Sequence, residues 1–378
     1  MKGKKTSGPS ILAASSPGAV ISNGTVSLGL YGESHLTFNN VGLAFGGNDS
    51  LTPGCYCEGW GVADTISGVT GYANESTDGG VQNMTMVSFG STASTANSVV
   101  RIGSTFQVTH NWHPSATPNL YEATVGITNI SGAPVDAVYR RVMDWDIAPS
   151  YFYEYVTIQG TTDVIKSNNN GFNTANPLVD YGSLGATGQF TDYGPTDQGA
   201  MIDFRIGTLA PGQSKQFRIY YGAANTEANA LSALTTVGAQ VYSLGQPNGG
   251  QTTGAPNTYI FGYARSCQPG LAFASPLSTT SAYTMPRAAT IDIRFTYAGS
   301  NNCALDDSVT LVVRDAANAR TRYVAHVLHR DLEYDPMTME YHVLFSPATY
   351  GVPANTTARA DVYFGGTRVG YALINVTP

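Results

Sequence analysis

The sequence predicts an all-β protein, and three observations support this class. Short alternating runs rich in Val, Ile, Thr, Tyr and Phe recur about every 8–12 residues along the chain. Turn-forming groups such as Ala210-Pro211-Gly212 separate these runs. One segment has a helical spacing of apolar residues. We therefore expect a large two-sheet β-sandwich with one amphipathic helix, followed by an immunoglobulin-like β-sandwich.

The first predicted domain covers residues 21–265 and consists mostly of strands. In chain order these are Thr25–Leu30, Met84–Phe89, Ser104–His110, Tyr121–Thr128, Tyr139–Ile147, Tyr155–Gln159, Ala200–Ile206 and Lys215–Tyr221. A last strand, Thr258–Tyr263, is expected to return to the same sandwich after the helix.

The helix is predicted between Thr226 and Gly245. Apolar residues recur there at spacings of three and four, namely Ala230, Leu231, Leu234, Val237, Val241 and Leu244. Thr226 can cap the first turn, and Gly245 can end the last one. We expect this helix to pack on the sheet that precedes it.

The second predicted domain covers residues 266–378. Its strands are Ala289–Tyr297, Ser308–Arg314, Arg322–His329, Glu340–Phe345, Ala358–Phe364 and Thr367–Ile374. This many strands in about 110 residues fits an immunoglobulin-like sandwich. Residues 1–20 have no core-forming period and are predicted to be a flexible N-terminal arm.

The composition predicts an exposed location for the protein. Charged residues make up 12% of the chain, against about 25% in a typical soluble protein, and the formal net charge is −7. A weakly charged surface rich in hydroxyl and amide groups is expected of an extracellular or surface-exposed protein: secreted, cell-surface or virion. The acidic balance disfavours nucleic acid as a partner. No apolar run is long enough for a transmembrane helix.

Two carboxylates lie two residues apart in the predicted strand Tyr139–Ile147. Side chains alternate along a strand, so Asp144 and Asp146 share one face, about 7 Å apart at Cα. They can bind Ca²⁺ or act as an acid and base pair. Alternatively, Arg140 and backbone N–H groups neutralise them as structural ion pairs.

Histidines and cysteines offer two further possibilities. His110 and His113, together with Cys55 and Cys57, can supply four zinc ligands, although no common zinc module uses this spacing. The alternative is that the histidines stack on aromatic rings or cap a loop. A carbohydrate-active enzyme would draw a histidine and carboxylate pair from a set of six residues: Glu58, His110, His113, Asp144, Asp146 and Glu154.

The chain contains four cysteines, which allow three pairings. We favour a disulfide between Cys267 and Cys303, which close a loop of ordinary size. The pairing of Cys55 and Cys57 stays open. A bond between these two would require a tight turn.

Aromatic residues are concentrated in the same part of the chain as the polar candidates. Trp60, Trp145, Tyr151 and Tyr153 are candidate ligand-binding residues, because their rings can stack on a sugar. A subunit contact and a plain β-core with its rim are the alternatives.

Several stretches resemble a known group of proteins. The runs GWGVADTISGVTGYAN, RRVMDWDIAPSYFYEYVTIQG and EANALSALTTVGAQVYSLGQP resemble uncharacterised secreted bacterial β-proteins of the PEP-CTERM-associated kind. The resemblance covers about residues 20–265 and implies an exported β-protein without a known activity. The chain ends at Ile374–Pro378 without the Pro-Glu-Pro sorting motif. Its size and β pattern also resemble the supersandwich of aldose mutarotases, in architecture alone.

The sequence therefore predicts a non-enzymatic, extracellular or particle-surface β-protein with a structural or adhesive function. We expect copies to associate into a filament, lattice or surface layer through the N-terminal arm and exposed sheet edges. Glycans are possible partners, and Ca²⁺ is the one candidate cofactor. The alternatives are a carbohydrate-active enzyme of supersandwich type and a virion surface or carbohydrate-binding protein.

Overall fold

The computed structural model describes residues 17–249, 253–265, 270–298, 309–335, 340–364 and 366–378. Strands account for 55% and helices for 5% of the structure, which confirms the all-β prediction. The chain divides into two compact units, with the boundary between Tyr263 and Ala264. The predicted Cys267–Cys303 disulfide and residues 1–16 of the predicted N-terminal arm lie outside the described residues. The arm was predicted to extend to residue 20, but a strand already begins at Gly18.

The first unit consists almost entirely of short strands. They are β1 (Gly18–Ser22), β2 (Val26–Tyr31), β3 (Leu43–Phe45), β4 (Asn48–Asp49), β5 (Gly59–Asp64), β6 (Thr70–Asn74), β7 (Gly80–Gln82), β8 (Thr85–Ser91), β9 (Ala96–Ile102), β10 (Phe106–Pro114), β11 (Leu120–Asn129), β12 (Val135–Asp144), β13 (Glu154–Gln159), β14 (Val164–Asn168), β15 (Phe190–Thr196), β16 (Gly199–Leu209), β17 (Ser214–Ala224), β18 (Val241–Gln246) and β19 (Thr258–Arg265). The α-helix is α1 (Glu227–Val237), and Phe38–Asn40 forms a short 3-10 helix.

Two large sheets enclose the core of this unit. The nine-stranded sheet has the order β15-β13-β18-β19-β17-β11-β10-β9-β8, and the six-stranded sheet has the order β14-β16-β12-β5-β6-β7. A four-stranded sheet, β1-β2-β3-β4, accompanies them. Side chains from both large sheets meet in one core, including Trp60 and Val62 of β5 and Trp112 of β10. The strand alternation places them there: along β10, Phe106, Val108 and Trp112 all face inward.

The outer face of the six-stranded sheet is also covered. Nine of the ten residues of β12 are buried. Arg140 fixes the covering loop by donating to the carbonyl oxygens of Thr174 at 2.9 Å and Asn176 at 2.8 Å. A Cβ on Gly61 would lie 2.2 Å from the carbonyl oxygen of Ala175, so the loop approaches too closely for any side chain there. This covering loop, which connects β14 to β15, also contacts the end of β12.

The helix begins where the sequence predicts but ends earlier. The Thr226 side chain accepts from the backbone N–H of Asn229, as expected of an N-cap. Gly238, in the left-handed conformation, ends the helix seven residues before the predicted stop at Gly245. Residues 241–246 form β18 instead, so the predicted end of the helix was wrong. The apolar residues Val241 and Leu244 fit both patterns because the segment is short.

The second unit forms two sheets around a core of its own. Its strands are β20 (Gly270–Phe273), β21 (Tyr283–Pro286), β22 (Ile291–Ala298), β23 (Thr310–Asp315), β24 (Thr321–His326), β25 (Glu333–Asp335), β26 (Glu340–Phe345), β27 (Thr356–Phe364) and β28 (Thr367–Thr377), with a 3-10 turn at Val327–His329. The sheet orders are β20-β22-β26-β25 and β21-β28-β27-β23-β24. Ile293, Phe295, Leu311 and Val362 are fully buried between them.

Within the described part of the chain, no helix has the length and apolar character that crossing a membrane requires.

Candidate metal centre

Four acidic side chains gather at one end of the large sandwich, where the chain passes between its two main sheets. Asp144 is the last residue of β12, and Asp146 follows it in the connection to β13. Glu154 is the first residue of β13, and Asp197 lies in the two-residue turn between β15 and β16. Because β12 and β16 belong to one sheet and β13 and β15 to the other, the cluster lies on both crossings.

The three aspartates converge on one point. One carboxylate oxygen from each of Asp144, Asp146 and Asp197 lies within 4.8 Å of the others. Asp144, Asp146 and Glu154 are at most 2% exposed, whereas Asp197 is exposed. The group therefore forms a buried acidic site with its open side at Asp197.

Most oxygens of the buried carboxylates have no partner. Oδ1 of Asp144, both oxygens of Asp146 and Oε2 of Glu154 are buried without a hydrogen bond to any described residue. The remaining oxygen of Glu154 accepts from the backbone N–H of Gln198 at 2.9 Å. An ionised carboxylate buried without compensation costs several kcal/mol. The cluster therefore requires either protons or a cation.

The pKa values of the cluster also reflect the lack of partners for its carboxylates. Burial raises the pKa of Asp144 well above its ordinary range, and the charges of Asp146, Asp197 and Glu154 raise it further. Burial, followed by the charge of Asp197, raises the pKa of Asp146 to about 7. For Glu154, burial and the neighbouring aspartates outweigh the Gln198 hydrogen bond and raise the pKa to about 8. A divalent cation would remove this mutual repulsion.

Two glycines allow the backbone to bring the aspartates together. A Cβ on Gly199 would lie 2.0 Å from the Met143 carbonyl oxygen, and one on Gly171 would lie 2.6 Å from the same atom. Both positions are also 2.7 Å from Cα of Asp144. Side chains at these glycines would therefore displace the end of β12.

The end of β12 explains why the two predicted carboxylates meet. The sequence predicted that this strand continues to Ile147, but in the structure it stops at Asp144. The N–H of Trp145 donates to the carbonyl of Gln198 at 3.2 Å, and that of Asp146 donates to the carbonyl of Ser50 at 3.0 Å. Asp144 and Asp146 thus converge through a turn away from the strand.

Arg140 does not neutralise the cluster, in contrast to the structural alternative. Its guanidinium binds Asp203 in a bidentate pair, Nε to Oδ1 at 2.6 Å and Nη2 to Oδ2 at 2.8 Å. Arg140 does not pair with a carboxylate of its own strand. Its partner comes from the adjacent strand β16, where Asp203 is directly opposite. Arg140 therefore supplies no positive charge to Asp144 or Asp146.

The zinc hypothesis was wrong, because Cys55 and Cys57 form a disulfide with each other. Sulfur atoms in a disulfide are not thiolate ligands. Sγ of Cys55 lies 3.4 Å from Oδ2 of Asp144, so the disulfide loop borders the acidic cluster. Both cysteines lie in the loop before β5.

The two histidines of the predicted set lie apart from the cluster. His110 is fully buried in the core, where Nε2 is 3.2 Å from the Tyr139 hydroxyl and the ring contacts Trp60. Burial, with a smaller effect of the Arg141 charge, holds the pKa of His110 well below its ordinary value. His113 is at the surface, and its Nε2 lies 3.8 Å from Oε1 of Glu122. The predicted catalytic residues therefore do not form one site.

A second buried group of charges lies in the core near His110. Arg141 and Glu58 are both fully buried and form an ion pair. The Tyr221 hydroxyl donates to Oε1 of Glu58 at 2.7 Å, and the N–H of Leu36 donates to Oε2 at 2.6 Å. Arg141 also donates to the Tyr139 hydroxyl at 3.0 Å. This network is closed and balanced in charge.

The predicted aromatic platform is divided between core and surface. Trp60 and Trp145 are fully buried, so the prediction that their rings bind a ligand was wrong. Their indole N–H groups bond to the Glu33 carbonyl and the Ser243 hydroxyl, as buried tryptophans require. Tyr151 is partly exposed and Tyr153 is 64% exposed.

The sequence did not indicate Asp197 as part of the site. It is more than fifty residues from Asp144 along the chain and lies in a short polar turn, Thr196-Asp197-Gln198-Gly199. Such turns are common in β-proteins and carry no signal of a ligand. Only the pairing of β16 with β12 brings the turn to the site.

Comparison of the whole chain with models of protein families and with curated proteins found no match in either case. The chemistry of the site therefore has to be inferred from its own residues. Converging carboxylate oxygens, with neither nitrogen nor thiolate ligands in the group, are the donor set that hard cations such as Ca²⁺ prefer.

Proposed function

We propose that the protein is a non-enzymatic, Ca²⁺-binding β-sandwich protein in which the cation joins the two main sheets of the large unit. One observation carries the proposal: buried carboxylate oxygens of Asp144, Asp146 and Glu154 have no partner among the described residues. A bound cation would compensate these charges and connect β12 and β16 to β13 and β15 at both crossings.

Ca²⁺ fits the cluster better than the other common divalent ions. Zinc favours nitrogen and sulfur ligands in a tetrahedral arrangement, and the nearest cysteines are oxidised. Magnesium requires near-ideal octahedral geometry and keeps several of its water molecules. Calcium accepts six to eight oxygens in irregular arrangements, which suits carboxylates from separate loops.

A structural function is favoured over acid and base catalysis at this site. Asp144 and Glu154 are at most 2% exposed, so a pyranose ring has no access to them as proton donors or acceptors. Neither His110 nor His113 lies beside them. The carbohydrate-active enzyme remains an alternative hypothesis, but the burial of its candidate acids weakens it.

The expected location is consistent with a calcium site. A protein with 12% charged residues and a weakly charged surface suits the exterior, where Ca²⁺ is abundant. We retain as part of the proposal a structural or adhesive function in an assembly of copies. The N-terminal arm and the sheet edges are its proposed contacts.

Calorimetry on the purified chain tests the proposal. The protein is stripped with EDTA, titrated with CaCl₂, and its thermal unfolding is measured with and without the ion. We expect saturable binding and a stabilisation of about 2.7 kcal/mol when free Ca²⁺ is one hundred times Kd. The variant Asp146→Asn should lose most of the affinity.

The matched control is Asp136→Asn, which removes a carboxylate near the start of β12, the strand that leads to Asp146. Asp136 accepts from the Thr65 hydroxyl at 2.8 Å and lies outside the cluster. The Asp136→Asn variant should bind Ca²⁺ as the parent protein does. If the stripped parent protein shows neither heat of binding nor a thermal shift, the cluster is not a calcium site.

A further inference from the structure

Two exposed aromatic residues lie in the loop that carries Asp146. Phe152 is 42% exposed and Tyr153 is 64% exposed. Phe152 has a φ of 68°, in the left-handed region that bulky residues rarely adopt. The loop therefore holds a large apolar side chain toward solvent at a conformational cost. Such costs are concentrated at ligand sites.

The Phe152 ring lies next to the acidic cluster. A methyl group placed on Gly54 would be 2.8 Å from Cε1 of Phe152 and 3.1 Å from Oδ2 of Asp146. Gly54 therefore lies against both the ring and the carboxylate, and no side chain fits between them. The ring thus borders the cluster that would hold the cation.

The cluster alone does not complete the coordination of Ca²⁺. Six to eight oxygens are required, and each of the three converging aspartates supplies one or two. Asp197 is exposed, so the unfilled positions face solvent on its side. Oxygen atoms of water or of a ligand can occupy these positions.

The charge of the site selects the kind of oxygen. With Asp144, Asp146, Glu154 and Asp197 ionised, a single divalent cation leaves an excess of negative charge. Phosphate and carboxylate ligands would be repelled by that excess in a partly buried setting. Neutral hydroxyl oxygens bind the cation without this cost.

We propose that the cation and the Phe152 ring together bind a neutral saccharide. A pair of vicinal hydroxyls coordinates the cation, and the apolar face of the sugar packs on Phe152, with Tyr153 beside it. This inference rests on the proposed function, because the hydroxyls have no other cationic partner at the site. It adds a ligand class to what would otherwise be a structural ion.

Affinity electrophoresis tests the inference. The full chain is run through native gels that contain mannan, dextran or galactan, with CaCl₂ or with EDTA. We expect at least one polysaccharide to retard the protein in Ca²⁺ and none to do so in EDTA. Phe152→Asn should reduce that affinity about tenfold or more. Asparagine adopts the left-handed conformation readily, so this variant removes the ring and keeps the backbone.

Calcium binding is measured by calorimetry on the same samples, which separates the two proposals. A parent protein that binds Ca²⁺ but is retarded by none of the three polysaccharides overturns the saccharide site and leaves the calcium site standing. Retardation that persists in EDTA, or that Phe152→Asn leaves unchanged, also overturns it. Absence of Ca²⁺ binding overturns both proposals. Tyr371→Ala, at an exposed tyrosine of the second unit, is the control and should be retarded like the parent.

Discussion

The large unit buries two groups of charged side chains, and the two differ in how the charge is compensated. In the core, Glu58 faces Arg141 and accepts two further hydrogen bonds, from Tyr221 and Leu36. At the sheet crossings, Asp144 and Asp146 face other carboxylates. These four charged side chains are all at most 2% exposed, so burial does not distinguish the two groups.

The difference shows how burial and partners together identify a candidate site. A buried charge with a full set of partners is explained by the fold itself. A buried charge without partners raises the free energy of the folded state, and it persists only where a ligand or a proton compensates it. The core network is therefore structural, and the carboxylate cluster is the site where a ligand is expected.

Arg141→Met should cause the largest loss of stability. It leaves Glu58 buried and without its ion-pair partner, which typically costs about 3–5 kcal/mol. Chemical denaturation measures the loss. Lys166→Met is the control, because it breaks the exposed pair with Asp180 and should cost less than about 1 kcal/mol. Equal effects for the two substitutions would contradict the comparison.

The stability of the calcium-free protein should depend on pH. The pKa values of Asp146, about 7, and Glu154, about 8, exceed their ordinary values of 3.8 and 4.5. The folded state thus holds protons that the unfolded chain has lost, and the free energy of unfolding falls as pH rises through this range. We expect a decrease on the order of 3 kcal/mol between about pH 5 and pH 8.

Saturating Ca²⁺ should remove most of that decrease, because the bound ion replaces the protons. Denaturation curves at several pH values, with EDTA and with CaCl₂, provide the measurement. A calcium-free protein whose stability rises over this range would show that the carboxylates are compensated in another way.

Gly199→Ala should disturb the cluster through sterics alone. The added Cβ would meet the Met143 carbonyl oxygen at 2.0 Å, and overpacking of this kind typically costs about 1–3 kcal/mol. Displacement of Asp144 should also weaken Ca²⁺ binding. Gly90→Ala in β8 is the matched control. Apart from its two chain neighbours, no described residue has an atom within 4 Å of the new Cβ. Identical behaviour of the two variants would mean that the close approach is unimportant.

The two groups should also differ in the sign of the stability change when one carboxylate is neutralised, and the smallest expected effect is that of Asp146→Asn. Asp146→Asn removes an uncompensated charge and should stabilise the calcium-free protein by about 1 kcal/mol at pH 8. Glu58→Gln removes a compensated charge and should destabilise it, because Arg141 then loses its partner. Thermal unfolding in EDTA compares them directly. The same sign for both variants would remove the distinction between the groups.

The sequence predicted the fold class well because the alternation of apolar residues is local. The strands near Tyr121–Thr128 and Lys215–Tyr221 appear as β11 and β17 with small shifts at their ends. The predicted end of the helix was wrong because Val241 and Leu244 fit the three-residue spacing of a helix and also a short strand that is buried on both faces, as β18 is. In the structure, Gly238 decides between these patterns.

The candidate site was only partly predictable, because its residues come together through long-range pairing. The spacing of Asp144 and Asp146 indicated possible Ca²⁺ ligands, although the reason, a shared strand face, was wrong. Asp197 joins them only because β16 pairs with β12. The partner of Arg140 is likewise set by pairing between strands, and a single sequence does not show which strands are adjacent.

The order of strands in the nine-stranded sheet has a consequence for synthesis. β19 is the last strand of the sheet in the chain, yet it lies between β18 and β17 at the centre. Without Thr258–Arg265, the strands β15-β13-β18 and β17-β11-β10-β9-β8 would be two separate parts of the sheet with unpaired inner edges. Closure therefore depends on contacts distant in sequence, which slows folding and exposes edges to other chains. A nascent chain arrested before Thr258 is accordingly expected to depend on chaperones until the final strand arrives.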